Sequence, residues 1–509
     1  MSRTQNCLLT GMLLVATSGR AAAADSTAGA ASAADAGPTA ASVDGSGQTS
    51  DAGSPSPESE SVGSASLMEQ SESAGGRMAG ATQAEAFKLS GYVRGDVFVG
   101  KVTGSRQGDL KAGYGEAALT LRTKKDRLGD GFAELRLRYG MQGEAQQQAT
   151  VDVREAYVNT YAGPVDLRLG KQIVVWGRAD LLNPTNNLTP FTFRARSPIE
   201  DDRRIGNLGA RAFLRLAPLR VEGVWMPMYV ATELPPIDLP QYVSYGDPTY
   251  PKSTLDKGLL AGRVHLELPA IEMSASYLHG YAPMPGLTFQ SVTLAPATPS
   301  IVVSRTAYKQ QVVGFDFSTA IGDLLAVRGE AAYRRPYDYE NPLAYTAKPD
   351  LQYALGVDHT FGSVSVIAQY LGRYPFDWQH KTSNVDNSAT AGLPSVADSD
   401  AGRAFVKGKA DTQLAKLNQM LFSQTEKTQH LATVRVEWLT AHDTLSVSAL
   451  GMVNFSTKEW LAAPKIGYHV SDSVMAYVGA EILTGPKDTL FGLVDQKMSA
   501  GYVELRSTF

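Results

Sequence analysis

The chain has 509 residues, a formal net charge of −4 and a single cysteine. The length admits one large barrel or several soluble domains. The charge removes any strong electrostatic case for nucleic acid, and one cysteine excludes a disulfide framework within the chain.

The first element is a leader. Arg3, the apolar run at 7–17 and the alanines at 21–24 give a basic head, a greasy stretch and small residues, which predict a secretory signal peptide over 1–24. The run is shorter than the roughly 20 residues a transmembrane helix needs. Thr4-Gln5-Asn6 before Cys7 is no lipoprotein cleavage box, so the mature chain is expected to carry no cysteine. Residues 25–85 are rich in Ala, Ser, Gly, Asp and Pro. They have too little to bury to offset ordering entropy, so a disordered periplasmic segment is expected, either a tether or a solvated tail.

From Phe87 the texture changes. Leu89, Gly91, Val93, Gly95, Val97 and Val99 alternate with Ser90, Tyr92, Arg94, Asp96 and Phe98. The same alternation recurs at 133–139, 208–216, 260–268, 327–334, 351–361, 434–438 and 474–483. Period two over this many segments predicts strands. Tight connections at 162–164, 217–218, 269–270, 322–323, 362–363, 441–443 and 471–473 alternate with mostly longer ones, which include 176–206, 230–257, 280–307, 335–350 and 375–428. Such sorting predicts an up-and-down barrel of about 18 strands over 86–509, with short periplasmic turns and long outer loops. A Greek-key sandwich would not sort its loops this way.

On this register Arg94, Asp96, Glu134, Arg136, Arg138, Arg168, Arg211, Arg215, Arg263, Glu267, Arg328, Glu330, Asp358, Arg435, Glu437, Glu504 and Arg506 face inward. An arginine facing lipid at mid-membrane costs about 2–4 kcal/mol, so these side chains are expected to line a lumen. They would form either a polar conduit drawing anionic or hydroxyl-rich solutes, or a mixed-sign network that braces the interior. The interleaving of signs leaves both open.

The stretch after the strand at 165–175 carries the most specific pattern. Gly170-Lys171-Gln172 is followed by Trp176-Gly177-Arg178-Ala179-Asp180, then Asn183-Pro184, Thr189-Pro190 and Glu200-Asp201-Asp202-Arg203-Arg204. The two X-Pro steps start turns and should fold the loop. Trp176, Arg178, Asp180, Asp201, Asp202, Arg203 and Arg204 are expected to fold inward and constrict the pore; an exposed loop capped by ion pairs is the alternative. Strict alternation would aim Lys171 at lipid, which predicts a bulge or a headgroup-level position. Asp201-Asp202 could hold Ca²⁺, but salt bridges to Arg203 or Arg204 are the expected outcome. This segment resembles an uncharacterised family of Gram-negative outer-membrane, porin-like barrels that share a Gly-basic-Gln run, a Trp-Gly and an Asn-Pro turn in this order. The resemblance implies that barrel and names no substrate.

Within 375–428, Phe405, Leu414, Leu417, Met420 and Leu421 recur at near-helical spacing. They predict one amphipathic helix over 404–426, a lid or a rim element. In the last strand Gly501, Val503, Leu505 and Phe509 share one face, and Tyr502, Glu504 and Arg506 the other. It resembles the terminal strand of bacterial outer-membrane barrels, and the resemblance implies that Gly501, Val503, Leu505 and Phe509 are an assembly signal.

No His-Glu-x-x-His, phosphate loop, Gly-x-Ser-x-Gly or Cys-His metal set occurs. No enzyme activity, catalytic residue, metal or cofactor is expected. The reading is an all-β, single transmembrane up-and-down antiparallel barrel in the outer membrane of a Gram-negative bacterium. It would act as a porin-like channel for polar solutes, narrowed by outer loops. A polysaccharide-export pore and a non-conducting adhesin or scaffold are the alternatives. Expected partners are outer-membrane lipid and lipopolysaccharide, the barrel-assembly machinery and periplasmic export or uptake components, with no nucleic acid.

Overall fold

The computed structural model describes residues 87–509 except 102–107, 126–128, 143–146, 238, 253, 295–298, 323–324, 341–344 and 380–392. The leader at 1–24 and the segment at 25–85 lie outside the described residues.

The strands, in chain order, are β1 (Phe87–Lys101), β2 (Gly108–Lys125), β3 (Gly129–Gln142), β4 (Gln148–Ala162), β5 (Val165–Gln172), β6 (Asn207–Leu216), β7 (Leu219–Met226), β8 (Val243–Tyr245), β9 (Leu259–Glu267), β10 (Ile271–Tyr281) and β11 (Gly286–Thr293). They continue as β12 (Ser300–Thr306), β13 (Lys309–Ile321), β14 (Leu325–Pro336), β15 (Asp350–Phe361), β16 (Val364–Pro375), β17 (Gln429–Thr440), β18 (Leu445–Asn454), β19 (Glu459–Ser471), β20 (Val474–Thr484) and β21 (Ala500–Thr508). All but β8, β11 and β12 belong to one 18-stranded sheet of antiparallel neighbours. β21 returns to pair with β1, from Tyr92↔Thr508 to Val99↔Gly501, so the sheet closes into a barrel without an open edge.

Alternation explains which side each residue takes. In β21 Val503 is 56% exposed on the outer wall, while its neighbour Glu504 is 1% exposed within. Val93 and Val97 on β1, Leu355 on β15 and Val434 on β17 are likewise outside, and Arg94, Asp96, Glu330 and Arg263 are buried inside. A water-soluble barrel would invert this order.

At the seam, Gly91 N donates to Phe509 O and Phe509 N donates to Gly91 O, each at 3.0 Å. A Cβ on Gly91 would stand 2.2 Å from Ala118 O and 2.9 Å from Phe509 Cζ, so the position admits only glycine without a shift of backbone.

The tight turns gather at the end where β1 begins and β21 finishes. The connections at 173–206, 227–258, 282–308, 337–349, 376–428 and 485–499 lie at the other end. Three differ from the sequence expectation. The segment at 280–307 is no plain loop: it carries β11 and β12, which join β8 in a separate three-stranded sheet. The connection 485–499 holds a helix, α2 (Leu490–Met498), which follows α1 (Asp400–Leu421) in the chain and which the strand pattern gave no reason to expect. The β18–β19 connection at this end is short.

α1 begins before the predicted 404 because Ser399 accepts from Gly402 N and caps it. It stops at Leu421, followed by Ser423 at φ 51°. Leu414, Leu417 and Leu421 pack with Leu287, Leu294, Ile301 and Val303 of the small sheet, which gives the long-loop end a hydrophobic core of its own. Phe405 departs from the expected apolar stripe and points outward, 56% exposed.

Lys171 shows no bulge of its own. Its Nζ sits 3.2 Å from Asp152 Oδ1 at the long-loop end of β5. The register shift lies one pairing away, between Glu134 and Leu135 on β3, and leaves Arg154 of β4 as the extra residue. Arg154 and Glu155 then both reach interior partners: Arg154 pairs with Asp201, and Glu155 accepts from Ile173 N.

Candidate functional site

The interior is crossed by the loop at 173–206. It leaves β5 with Val174 and Trp176 fully buried. Trp176 Nε1 donates to Glu222 Oε1 at 2.9 Å, and the Arg263 guanidinium lies 5.8 Å from the indole centroid. Gly177 has φ +97°, and a Cβ there would fall 1.8 Å from Asn183 Oδ1 and 2.3 Å from Glu330 Oε2. Only glycine fits where the chain turns this closely past a wall carboxylate, a physical reason for Trp-Gly at this place.

Arg178 is gripped on every side. Its backbone N donates to Glu330 Oε2 at 3.1 Å, its guanidinium pairs with Asp316 at 2.9 Å and Glu272 at 3.0 Å, and its carbonyl accepts from Arg328 at 3.1 Å. Asp180 accepts from Arg435 Nε at 2.7 Å, and its N donates to Gln369 Oε1 at 3.0 Å. Arg435 stands on β17, half-way round the barrel from β5. The loop therefore spans the lumen.

The return half is tied to the other wall. Asp202 meets Arg94 at 2.8 Å and Arg136 at 2.7 Å, and accepts from Ser197 Oγ. Burial opposes its charge, but Arg94 and Arg136 outweigh burial and hold the carboxyl well below the usual range. Asp201 pairs with Arg154 and with Arg204 at 2.9 Å, and Arg203 pairs with Glu481. Tyr114 Oη donates to Arg196 O at 2.7 Å. The acidic pair is thus engaged by arginines of three barrel strands and by Arg204, while Arg203 reaches across to β20.

The wall charges take positions as follows. Arg94, Asp96, Glu134, Arg136, Arg138, Arg168, Arg211, Arg263, Arg328, Glu330, Asp358, Arg435, Glu437, Glu504 and Arg506 stand on the inward register. Arg215 and Glu267 share it but lie at the short-turn rim, half exposed, paired with Asp166 and Arg220. Many of the inward arginines find carboxylates: Arg94 with Glu116 at 2.7 Å, Arg211 with Glu222 at 2.7 Å, Arg263 with Asp316 at 2.8 Å and Arg328 with Asp358 at 2.8 Å. Arg168 instead donates to Asn159 and lies 4.3 Å from the Tyr157 ring centroid.

A family model described as "Protein of unknown function (DUF1302)" matches residues 8–468. The chain belongs to this family. No curated protein matches this DUF1302 chain. Among solved structures, Acinetobacter baumannii OccAB3 matches at a TM-score of 0.47 and 8% identity, over 83% of this chain and 99% of that one. Pseudomonas aeruginosa OccK2 (OpdF), solved in complex with glucuronate, gives 0.47 and 9%, over 83% and 96%. A BenF-like porin from Pseudomonas fluorescens Pf-5 gives 0.47 and 9%, over 83% and 98%. The fold rests on the strand pairing itself.

Several DUF1302 side chains central to the site escaped the sequence reading. Glu116, Glu222, Asp316 and Asp350 are buried inward partners of arginines. Asp316 shows the pattern in Val313-Gly314-Phe315-Asp316-Phe317, where the flanking Val313 and Phe315 face out, while Asp350 follows Lys348-Pro349 and has no apolar run before it. The alternation there was the signal. The interior is also not ionised throughout: Val224, Met226, Leu259, Ala261, Leu278, Val312 and Ala332 face inward and pack with Val174, Trp176 and Leu188 of the loop.

Proposed function

We propose that this barrel spans the outer membrane of a Gram-negative bacterium as a porin-like channel for small polar solutes. The observation that carries the reading is the loop at 173–206, drawn across a charged interior and fixed on opposite walls by Arg435–Asp180 and by Arg94 and Arg136 on Asp202. Strands of about 9–11 residues suffice to cross a bilayer at barrel tilt, and an apolar exterior is what lipid requires. Charges at a constriction set which solutes pass. The anchored loop favours small solutes over a polymer, because polysaccharide export would need the loop to leave the lumen.

Planar-bilayer recording tests this. The wild-type protein should give small discrete conductance steps. The double variant Arg435→Gln/Asp202→Asn, which cuts one tie in each half of the loop while Arg178–Asp316, Asp201–Arg154 and Arg203–Glu481 still hold it, should give larger and noisier steps. Silence from the wild type, from this variant and from a variant lacking 376–428 would remove the channel and leave a non-conducting scaffold.

A further inference from the structure

The inward wall near the short turns carries a different pattern from the paired charges above it. Arg122, Phe132 and Tyr157 lie opposite one another across β2, β3 and β4, and Tyr157 lies opposite Gly170 of β5. The Phe132 and Tyr157 rings stack 5.2 Å apart at 24°. The Arg122 guanidinium stands 5.3 Å from the Phe132 centroid, and that of Arg168 stands 4.3 Å from the Tyr157 centroid. The row therefore reads cation, ring, ring, cation. Gly170 makes room for it: at φ +138° its Cβ would fall 2.2 Å from Ala156 O, so the flank of Tyr157 is left to Arg168, one inward position away on β5. Every other inward arginine of the barrel strands forms an ion pair with a carboxylate. Arg122 and Arg168 form none with a described residue. Arg122 is exposed, and half-buried Arg168 donates its Nε to Asn159 Oδ1 at 2.8 Å. Lys88 of β1, exposed on the inward register, lies opposite Arg122. Of the acids that adjoin the row, Asp166 pairs with Arg215, and Asp130 accepts from Asn159 Nδ2 at 2.8 Å and from Tyr161 Oη. Asp130 alone does not offset Lys88, Arg122 and Arg168.

We infer that this row is a docking station for an oxyanion, the carboxylate or phosphate of a small anionic solute, at the short-turn mouth of the lumen. A guanidinium offers a planar fork of N–H donors that matches either group. Stacking on a ring face holds that plane in place, and the missing carboxylates leave the fork's donors for a solute. Paired charges cancel much of one another's field, so the unpaired cations set the sign that an approaching solute meets. Anion preference therefore resides at Arg122 and Arg168 rather than in the braced arginines deeper in the lumen. The glycine of the Gly-Lys-Gln run gains a role, since it clears the place that Arg168 takes. The inference rests on the channel reading for the passage of the solute and not for its docking.

Two readouts on the purified full-length protein test it. Reversal potentials in a potassium chloride gradient should show chloride preferred over potassium. Arg122→Gln/Arg168→Gln should lower that preference about fivefold, the factor given by loss of a unit charge about 4 Å away in water, and Arg122→Lys/Arg168→Lys should keep it. Saturation-transfer NMR in detergent should show benzoate and phenyl phosphate in contact with the protein beyond the level of neutral benzyl alcohol. The glutamine variant should bring both anions down to that level, and contact by one anion alone would name the group accepted. Heat-modifiable gel mobility checks that each variant is folded. Cation preference in the wild type, an unchanged preference in the folded glutamine variant, or anions held no better than benzyl alcohol would overturn the station. Anion contact that depends on Arg122 and Arg168 in a protein silent in bilayers would uphold the station and remove the channel; steady conductance without anion preference would do the reverse.

Discussion

Asp202 shows how much one carboxylate can hold. It joins Arg94 of β1 and Arg136 of β3 to a loop that begins at β5. Removing one member of a buried ion pair leaves uncompensated charge and costs on the order of 3–5 kcal/mol. Asp202→Asn alone should therefore loosen the return half of the loop, seen as a larger and noisier open level in single-channel records. Acid should not mimic it. Because the folded carboxyl sits well below its ordinary value, its contribution is present above the unfolded value and is lost only as pH falls through the depressed one. The wild-type level should hold from pH 7 down to about pH 4, near the free Asp value; an open level like that of Asp202→Asn appearing within that window would contradict the assignment. The same geometry changes what Arg136 and Arg138 are expected to do. Alternation placed them inward, and their partners are Glu134 two residues away on the same strand, Glu116 on the adjoining β2, and Asp202 of the returning loop. Only the Asp202 pair depends on the path of the loop, which no local pattern encodes. Neutralising Arg136, which holds Asp202, should disturb the loop before it alters ion preference.

At the scale of elements, most of the strands could be read and the outer segments only in part. A strand facing lipid on one side and charge on the other writes a two-residue period, so β1, β3, β6, β9 and β21 were legible. α1 was legible from its apolar spacing, but its start was not, because Ser399 caps it from outside the periodic stretch. α2 and the β11–β12 hairpin carry short mixed patterns that resemble loop. Within 173–206 the steps Asn183-Pro184 and Thr189-Pro190 marked a folded segment, yet Trp176 gave no sign that its indole would end beside Glu222. Trp176→Ala removes that hydrogen bond and empties the apolar cluster with Met226 and Val312. A large-to-small change at such a site costs about 3–5 kcal/mol. The expected result is a barrel that still assembles but melts at lower temperature in gel-mobility assays, with the loop open to protease. An unchanged melt would mean that the loop rests on its ion pairs alone. Asn418 of α1 holds the small sheet by accepting from Leu287 N at 2.7 Å and donating to Leu287 O at 2.8 Å. Asn418→Ala should raise protease cleavage at 282–308 and leave the barrel melt unchanged.

The whole molecule depends on closing a ring whose last pairing joins its first strand to its last. Seventeen of the hairpin-type contacts between strands form as the chain runs on, but β1 and β21 lie at opposite ends of the barrel segment, and their pairing has the longest loop to close. Phe509 sits at that seam with both backbone groups bonded to Gly91 and its ring outside, 62% exposed. Two changes there separate local chemistry from closure. Deleting Phe509 removes two ladder bonds and an outward aromatic; it should slow acquisition of the heat-modifiable form several-fold, with near-normal stability of the molecules that do close. Val503→Arg sets a cation on the outer wall in mid-strand, at a cost of about 2–4 kcal/mol if lipid lies there. It should lower the stability of closed barrels in bilayers and have little effect in detergent of high polarity. A Val503→Arg protein as stable in bilayers as the wild type would mean that this wall does not face lipid, and the membrane reading would fall with it.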